Sequence, residues 1–219
     1  YTHYLPNRVD SLNLWLIADT SHLTLVRDSF VAQWFDLSSE LNHTNYQANA
    51  GVQPLVKYNK LNNFSAVRFD SPITNFCRLD LTNSLTSEDY SVFMVYNHFD
   101  SQFRRRILMS LNNSNWYMGI NANQFTVFDS LSLQGKTVLD KQFVVHNIYS
   151  NNDTVSNIVN GIEYGKRKSI NSPGTNLRLG FDQPFSDILE IIMINGSITP
   201  HVRQNIDQYL MDKYAPPVN

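Results

Sequence analysis

This chain of 219 residues is poor in several features that mark common protein classes. It has one cysteine, Cys77, so an internal disulfide is excluded. Only 16% of its residues are charged and its net charge is −2, so no global attraction to nucleic acid or to an anionic membrane is expected. No apolar run reaches the length of a membrane-spanning helix. We therefore predict neither nucleic-acid binding nor membrane insertion.

The start of the chain also lacks a charged-then-apolar leader. Either a signal peptide has been removed or the chain is a segment of something longer, and both interpretations stay open.

Apolar and amide side chains are plentiful. Hydrophobic residues make up 42% of the chain and aromatic residues 12%, which is enough for a substantial core. Asparagine occurs 26 times, and it tolerates left-handed turn geometry, which suits a protein of many strands and loops. No repeat, linker or change in composition divides the sequence. We predict one domain spanning residues 1–219.

Short runs of β-branched and aromatic residues, separated by turn residues, recur along the chain. The strongest is Tyr90–Tyr96, which we expect to be a central strand. Asn160-Gly161 separates two such runs and predicts a tight hairpin, since both residues accept positive φ. Other strand candidates are Leu12–Ala18, Ser65–Asp70, Ile107–Leu111, Trp116–Ile120, Gln124–Phe128, Phe143–Tyr149 and Leu177–Gly180. This pattern predicts an all-β sandwich of two antiparallel sheets.

The tail combines a strand with the best helix signal of the chain. Ile188–Ile194 is apolar at all but one position, as in a strand covered on both faces. Thr199 then suits an N-cap, with Pro200 at the first helical position. Apolar residues follow at helical spacing, among them Ile206 and Leu210, which we expect to be buried. The prediction is a C-terminal amphipathic helix over about residues 200–214.

The tail also resembles the closing segment of the concanavalin A-like (laminin G-like) lectin domains. The resemblance lies in the Asp-Ile-Leu-Glu run at 187–190 and the Tyr-Leu-Met-Asp-Lys-Tyr run at 209–214. Shorter matches occur around Trp15, around Trp34 and at Ser65–Asp70, although Ile17 stands where the family usually has aspartate. The resemblance implies a jelly-roll sandwich, often with a carbohydrate-binding role.

Catalytic patterns known on this fold are missing. Its β-glucanases need paired carboxylates on one face of a strand. Glu88 and Asp89 are adjacent, and Asp187 and Glu190 fall on opposite faces of a regular strand. Val144-Val145-His146 lacks the glutamine of the lyase pattern. We predict no enzymatic activity.

Metal-binding patterns are equally weak. The histidines are scattered, with no spacing typical of zinc. Aspartates such as Asp70, Asp80, Asp129 and Asp182 are isolated from one another in sequence, yet lectins of this fold often hold calcium by Asp and Asn oxygens. No cofactor is predicted, and calcium is left open.

The turn at 112–117 is the best candidate for contact with a sugar, because it joins aromatic rings to planar amides. The proposed contacts are Asn113, Asn115, Trp116 and Tyr117. The alternative is that Trp116 points into the core and the asparagines only turn the chain. If both rings are fully enclosed, this site is wrong and the structural role moves ahead of glycan binding.

Two basic clusters could add charge to such a site. Arg104 and Arg105, with Arg106, form one, and Lys166–Lys168 form the other. Meeting on one face, they would suit sulfate, uronate or phosphate. Alternatively, each is a solvated guard on an edge strand.

From these observations we predict a non-catalytic, surface-exposed recognition or attachment module for a glycan or cell-surface polysaccharide. Its expected setting is extracellular, on a cell surface or on a virion. A single ring with a few hydrogen bonds gives only ~4–5 kcal/mol, so we expect the chain to belong to a larger protein or a multicopy assembly. The alternative is a purely structural decoration or assembly domain of a capsid, fibre or filament, and a polysaccharide-active enzyme comes third.

Overall fold

The structure is a computed structural model that describes residues 5–70, 77–82, 84–99, 105–112, 116–129, 131–137, 141–168, 172–181 and 185–216. The first strands are β1 (Leu12–Ile17), β2 (Leu23–Val26), β3 (Phe30–Trp34), β4 (Leu55–Leu61), β5 (Phe64–Phe69) and β6 (Leu79–Asp80). The next are β7 (Ser84–Leu85), β8 (Tyr90–His98), β9 (Arg105–Ser110), β10 (Trp116–Asn121), β11 (Gln124–Asp129) and β12 (Leu131–Thr137). The last elements are β13 (Val144–Asn151), β14 (Thr154–Val159), β15 (Ile162–Lys168), β16 (Gly174–Thr175), β17 (Leu177–Phe181), β18 (Ser186–Asn195) and the helix α1 (Pro200–Tyr214).

Two antiparallel sheets dominate the described part of the chain. The larger is ten-stranded, in the order β15-β14-β13-β8-β18-β5-β4-β3-β2, with β1 also paired to β18. The smaller is six-stranded, in the order β12-β11-β10-β9-β17-β6. A short ladder joins β16 to β7. The predicted all-β sandwich with one C-terminal helix is confirmed, and β8 is the central strand that the sequence indicated.

Two apolar clusters hold these layers together. The first lies between the sheets and includes Trp34, Tyr96 and Trp116, all fully buried. The second lies on the outer face of the ten-stranded sheet, beneath α1, and includes Ile206 and Leu210, which are fully buried as predicted. Because the middle of the sheet is covered on both faces, its central strands β8 and β18 are buried at nearly every position, polar residues included, and do not alternate between buried and exposed.

Helix α1 begins and ends at the predicted residues, because its limits are encoded locally. Thr199 Oγ1 accepts a hydrogen bond from the Val202 N–H at 3.2 Å, and Pro200 occupies the first turn. Ala215 ends the helix in the left-handed conformation, with φ of 40°.

A bulge in β18 contradicts one expectation from the sequence. Opposite β8, Ile188 pairs with Tyr96 and Glu190 pairs with Val95, so Leu189 is the extra residue. Leu189 packs in the outer cluster, and Glu190 meets the tyrosines of α1 on that same face. Asp187 faces the same way, since its side chain pairs with Arg68 on the outer side of β5. Asp187 and Glu190 therefore share one face, because the strand is not regular.

The predicted hairpin at Asn160-Gly161 is confirmed, with φ of 50° and 76° at the two residues. The strands that the sequence did not indicate are β2, β3, β4 and β12, together with the two-residue strands β6, β7 and β16. Lys57, Asn59 and Lys60 interrupt the apolar pattern of β4, and Gly135 interrupts that of β12. Gly135 has a tertiary reason: a Cβ there would lie 2.8 Å from the Asn157 amide and 2.9 Å from the Phe125 carbonyl.

Candidate functional site

The sugar site predicted at the 112–117 turn is wrong in its aromatic part. Trp116 is fully buried between the sheets, where its Nε1–H donates to the Tyr90 hydroxyl at 3.0 Å. Tyr117 points to the opposite face of β10 and is also fully buried. Neither ring is open to a ligand, since period-two alternation sends one residue into the core and a covering layer hides the other.

The remaining predicted contacts cannot be placed. Asn113, Asn115 and Arg104 lie outside the described residues, and Arg105 is described only as a backbone position in β9. None of the predicted contacts therefore has a described, exposed side chain; Asn112 of the same turn is exposed, and its side-chain amide donates to Thr175 Oγ1.

A different set of side chains forms a cross-strand row on the outer face of the six-stranded sheet. Tyr117 lies opposite Phe128 on one side and Met109 on the other. Met109 in turn faces Arg178, and Arg178 faces Asp80. Cross-strand partners share a face, so these five residues line up across five strands. With strands about 4.8 Å apart, the row is ~19 Å long.

One half of this row is aromatic and cationic. The rings of Tyr117 and Phe128 are stacked, with centroids 5.1 Å apart and planes 12° apart. The Arg106 guanidinium lies 5.7 Å from the Tyr117 ring centroid and contributes to the layer that covers it. Phe128 and Arg106 are each only half-buried, so they are the accessible members of this half.

The other half is a charged pair. The Arg178 guanidinium donates to both carboxylate oxygens of Asp80, at 2.5 and 3.0 Å. The Arg178 side chain is 15% exposed and that of Asp80 is 30% exposed. Beside them the backbone N–H of Asn45, an exposed residue, donates to the Asp80 carbonyl at 2.7 Å. This fork geometry fixes both charged groups while leaving them in reach of solvent.

Such a face has the groups that recognise a carbohydrate, but not a described pair of carboxylates for acid–base catalysis. Asp80 is the row's one carboxylate and already accepts both guanidinium hydrogen bonds. Hydrolysis of a glycoside by the usual route needs a second carboxyl group nearby.

The two tail carboxylates, although on one face, are engaged in holding the fold. Glu190 accepts from Trp15 Nε1 at 2.7 Å and from the Tyr209 hydroxyl at 3.0 Å through Oε1. Its Oε2 accepts from Lys213 Nζ and from the Tyr214 hydroxyl, each at 2.6 Å. Both tyrosine pKa values are raised, by burial first and by the Glu190 charge second, so both hydroxyls remain donors.

Asp187 is fixed in a similar way. It forms a bidentate pair with Arg68 at 2.6 and 2.8 Å, with Lys60 Nζ at 3.6 Å. The hydrogen bond to Asp187 is the largest cause that raises the pKa of Arg68. These contacts tie β18 to β5, on the face opposite to the cross-strand row.

Within the described ranges, no three His, Cys, Asp or Glu side chains come together as metal ligands. Likewise, no helix among the described residues is long and apolar enough to cross a bilayer.

The two basic clusters lie on different sheets. Arg106 belongs to β9, an interior strand, so the edge-guard interpretation fails for it. Lys166–Lys168 belong to β15, which is an edge strand of the ten-stranded sheet, as that interpretation requires.

Sequence reasoning missed Phe128 and Arg178 as site residues. The local signal was present: Leu177-Arg178-Leu179 and Val127-Phe128 alternate around buried residues, which marks Arg178 and Phe128 as outward. Their alignment in one row depends on strand register, which the sequence does not reveal.

No family model and no curated protein sequence matches this chain. Solved structures do resemble it. One is domain 4 of AbnA, a GH43 extracellular arabinanase from Geobacillus stearothermophilus, in complex with arabinotriose. It superposes with a TM-score of 0.64 at 14% sequence identity, covering 91% of this chain and 98% of that one. Trypanosoma rangeli sialidase in complex with sialic acid superposes with a TM-score of 0.56 at 7% identity, covering 94% of this chain and 33% of the sialidase.

A mutant of the same sialidase that displays trans-sialidase activity gives a TM-score of 0.59 at 7% identity, over 95% of this chain and 34% of that one. This chain thus spans about a third of the length of the sialidases. At such low identities the likeness concerns the fold: the chain is a β-sandwich similar to domains of carbohydrate-related proteins.

Proposed function

We propose that this protein is a non-catalytic carbohydrate-recognition module whose site is the outer face of the six-stranded sheet. The observation that carries the proposal is the cross-strand row itself, in which the partly exposed ring of Phe128 and a forked Arg–Asp pair share one face. Aromatic rings pack against the C–H faces of sugars, while guanidinium and carboxylate groups bond their hydroxyls.

The dimensions favour an oligosaccharide over a single sugar. Phe128 and Asp80 lie at opposite ends of a row ~19 Å long whose middle members, Tyr117 and Met109, are buried, so only a ligand longer than a monosaccharide can contact both ends. The similarity to the arabinanase domain seen with arabinotriose supports this size class. The half-buried Arg106 and the internally neutralised Arg178–Asp80 pair suit a neutral or weakly acidic chain.

The test is a glycan array printed at high density, repeated with a chelator. We expect binding of the wild type at near-millimolar monomer affinity, ~4–5 kcal/mol, amplified by multivalent presentation. Phe128→Ala and Arg178→Gln should each weaken it, and Arg178→Lys should not restore it, because lysine lacks the planar fork.

Tyr58→Ser is the matched control, since Tyr58 is 56% exposed on β4 of the other sheet. Loss of binding with the chelator would add calcium to the proposal. Equal binding by the wild type and both row variants would exclude this face. Release of sugar from the array would make a polysaccharide-active enzyme the leading candidate function.

A structural assembly role is the second candidate, because the cross-strand row offers a glycan site that does not depend on Trp116 or on an exposed Tyr117. The enclosure of Trp116 and Tyr117 removes the sugar site that the sequence indicated. If the wild type binds nothing on the array, the structural role is favoured. The setting expected for such a role is a cell surface or a virion.

A further inference from the structure

Two adjoining clefts lie at the end of α1, on the face of the ten-stranded sheet that the helix covers. The first, which we name the polar cleft, encloses about 300 Å³. The second, which we name the α1 groove, encloses about 520 Å³. Ile17, Phe64 and Lys213 line both clefts, so they stand at the boundary, and one ligand lying across it can occupy both.

The polar cleft exists because β18 changes its neighbour along its length. Residues 186–188 of β18 pair with β5, whereas residues 190–194 pair with β1. Leu189, the extra residue of the bulge, lies between the two pairings and lines the cleft. The end of β1 and the start of β5 therefore leave a gap between them, and the cleft occupies this gap.

Side chains that donate and side chains that accept hydrogen bonds converge on the polar cleft. The polar residues that line it are Asp19, His22, Asn63, Ser65 and Lys213, with the rings of Phe64 and Tyr214 beside them. A few convergent polar groups next to aromatic surface in a concave site are typical of small-molecule binding.

The Asp19 carboxylate is held in place with one oxygen to spare. Its Oδ1 accepts from the Ser21 backbone N–H at 2.9 Å and from the Ser21 hydroxyl at 2.8 Å. The backbone hydrogen bond, and then the hydroxyl, lower the pKa of Asp19, so the group is ionised at neutral pH. None of the described residues donates to Oδ2, which is left as an acceptor for a ligand.

Lys213 and Asn63 are held in a comparable way. Lys213 Nζ donates to Glu190 at 2.6 Å and to the Tyr209 hydroxyl at 2.9 Å, and within the described part of the chain its third N–H has no acceptor. Asn63 lies in the turn of the β4–β5 hairpin, with φ of 66°. Its neighbour Asn62 donates to the Tyr214 carbonyl at 2.6 Å, which ties this turn to α1. Groups fixed before a ligand arrives lose little freedom on binding.

The charges of the polar cleft favour a neutral head group with hydroxyls. An anionic head would meet the Asp19 carboxylate, and a cationic head would meet the Lys213 ammonium. A hydroxyl group donates to the first and accepts from the second, so a sugar can use both.

The α1 groove favours an apolar group. Its uncharged lining residues are Leu5, Trp15, Ile17, Phe64 and Tyr209. Trp15 Nε1 and the Tyr209 hydroxyl both donate to Glu190, so the two rings present mainly apolar surface to the groove. An alkyl or aryl group would leave water by entering it.

We propose that the two clefts together bind a glycoside with an apolar aglycone, the sugar in the polar cleft and the aglycone in the α1 groove. Asp19 Oδ2 and the Asn63 amide then bond the sugar hydroxyls, and Lys213 donates at the boundary. This site is separate from the cross-strand row, which lies on the other sheet, and the apolar aglycone distinguishes its ligand from the oligosaccharide proposed there.

Isothermal titration calorimetry with octyl β-glycosides of glucose, galactose, mannose and xylose, each below its micelle-forming concentration, tests the proposal. We expect at least one of them to bind with a Kd below ~1 mM. Octyl sulfate and octylamine should each bind at least about tenfold more weakly than that glycoside, since one cleft charge opposes each head. The free sugar should also bind at least about tenfold more weakly, because it buries no aglycone.

Three variants separate the sugar contacts from the aglycone contacts. Asn63→Gly removes the amide but keeps a residue that accepts positive φ, and Asp19→Asn keeps Oδ1 for Ser21 but loses the free carboxylate oxygen. Each should weaken the glycoside about fivefold or more and leave binding of 1-octanol unchanged. Leu5→Ser should weaken the glycoside and 1-octanol alike, about threefold or more.

Two control variants test whether these effects are specific to the clefts. Ile162→Ser removes an apolar side chain that is 52% exposed on β15, far from both clefts, and matches Leu5→Ser. Phe128→Ala alters the cross-strand row. Both should bind the glycoside like the wild type, so failure of this site and failure of the row can be told apart.

The indole N–H signals in a proton–nitrogen NMR spectrum locate the ligand. The Trp15 signal should shift as the glycoside is added, while that of Trp116, buried between the sheets, should not. Asp19, Asn63 and Leu5 are exposed, so their variants should fold, and thermal melts check this. The proposal is overturned if no octyl glycoside binds, if octyl sulfate or octylamine binds more tightly than every glycoside, or if Phe128→Ala abolishes binding that the three cleft variants retain.

Discussion

Replacement of Glu190 by glutamine tests the contact that joins α1 to the sandwich. The carboxylate is almost fully buried and receives four hydrogen bonds, from Trp15 of β1 and from Tyr209, Lys213 and Tyr214 of α1. Glutamine preserves the shape but removes the charge. It also presents an NH₂ group to two donors, which cannot bond to it.

The size of the expected loss in unfolding free energy follows from Lys213, the charged partner that remains. Lys213 would keep its positive charge in a site where its side chain is only 19% exposed. Breaking a buried ion pair by removing one member costs ~3–5 kcal/mol, and the partial exposure of Lys213 favours the lower end, about 3 kcal/mol. Against a typical total stability of ~5–15 kcal/mol, this is a large fraction.

Urea unfolding followed by circular dichroism measures the loss. Tyr214→Phe removes one hydrogen bond to the same carboxylate and should cost less, about 1.5–3 kcal/mol. Glu190→Gln/Lys213→Met removes both charges and should recover part of the stability, giving a coupling energy in a double-mutant cycle. If Glu190→Gln unfolds within about 1 kcal/mol of the wild type, the carboxylate does not hold the helix and this reasoning is refuted.

Three further predictions concern packing, pH and catalysis. Leu210→Ala should cost ~2–5 kcal/mol in the same urea assay, through the cavity left beneath α1, and a loss under about 0.5 kcal/mol would mean a loosely attached helix. Burial lowers the pKa of His146 from its ordinary 6.5 to about 4, so the stability that the neutral imidazole contributes is lost as the pH falls from 6.5 towards 4. Urea unfolding of His146→Gln and of the wild type, compared from pH 7 to pH 4, should show this loss in the wild type only. Burial raises the pKa of Asp207 to about 6, which acts in the opposite sense in the same window, so Asp207→Asn must be measured beside it. Finally, the protein should release no reducing sugar from common polysaccharides, and turnover that Glu190→Gln abolishes would contradict the non-catalytic proposal.

The local features of this fold could be predicted from the sequence because neighbouring residues encode them. Period-two alternation and β-branched runs indicate strands such as Tyr90–Tyr96 whatever their position in the fold. The limits of α1 follow from Thr199 and Pro200, and the Asn160-Gly161 turn needs only two residues that accept positive φ. None of these depends on a distant partner.

The candidate sites depend on tertiary structure, for two physical reasons. Register between strands far apart in sequence decides that Phe128, Tyr117, Met109, Arg178 and Asp80 share one row, and one residue of slip would send a strand's side chains to the other face.

The second reason is local irregularity and cover. A single bulge at Leu189 places Asp187 and Glu190 on the same face, against the regular alternation. Burial of Trp116 and Tyr117 on opposite faces of β10 depends on the layers packed above them. Local sequence was therefore enough to predict most of the longer strands, the Asn160-Gly161 hairpin and the helix, whereas the packing of the two sheets decides which side chains meet and which remain open to a ligand.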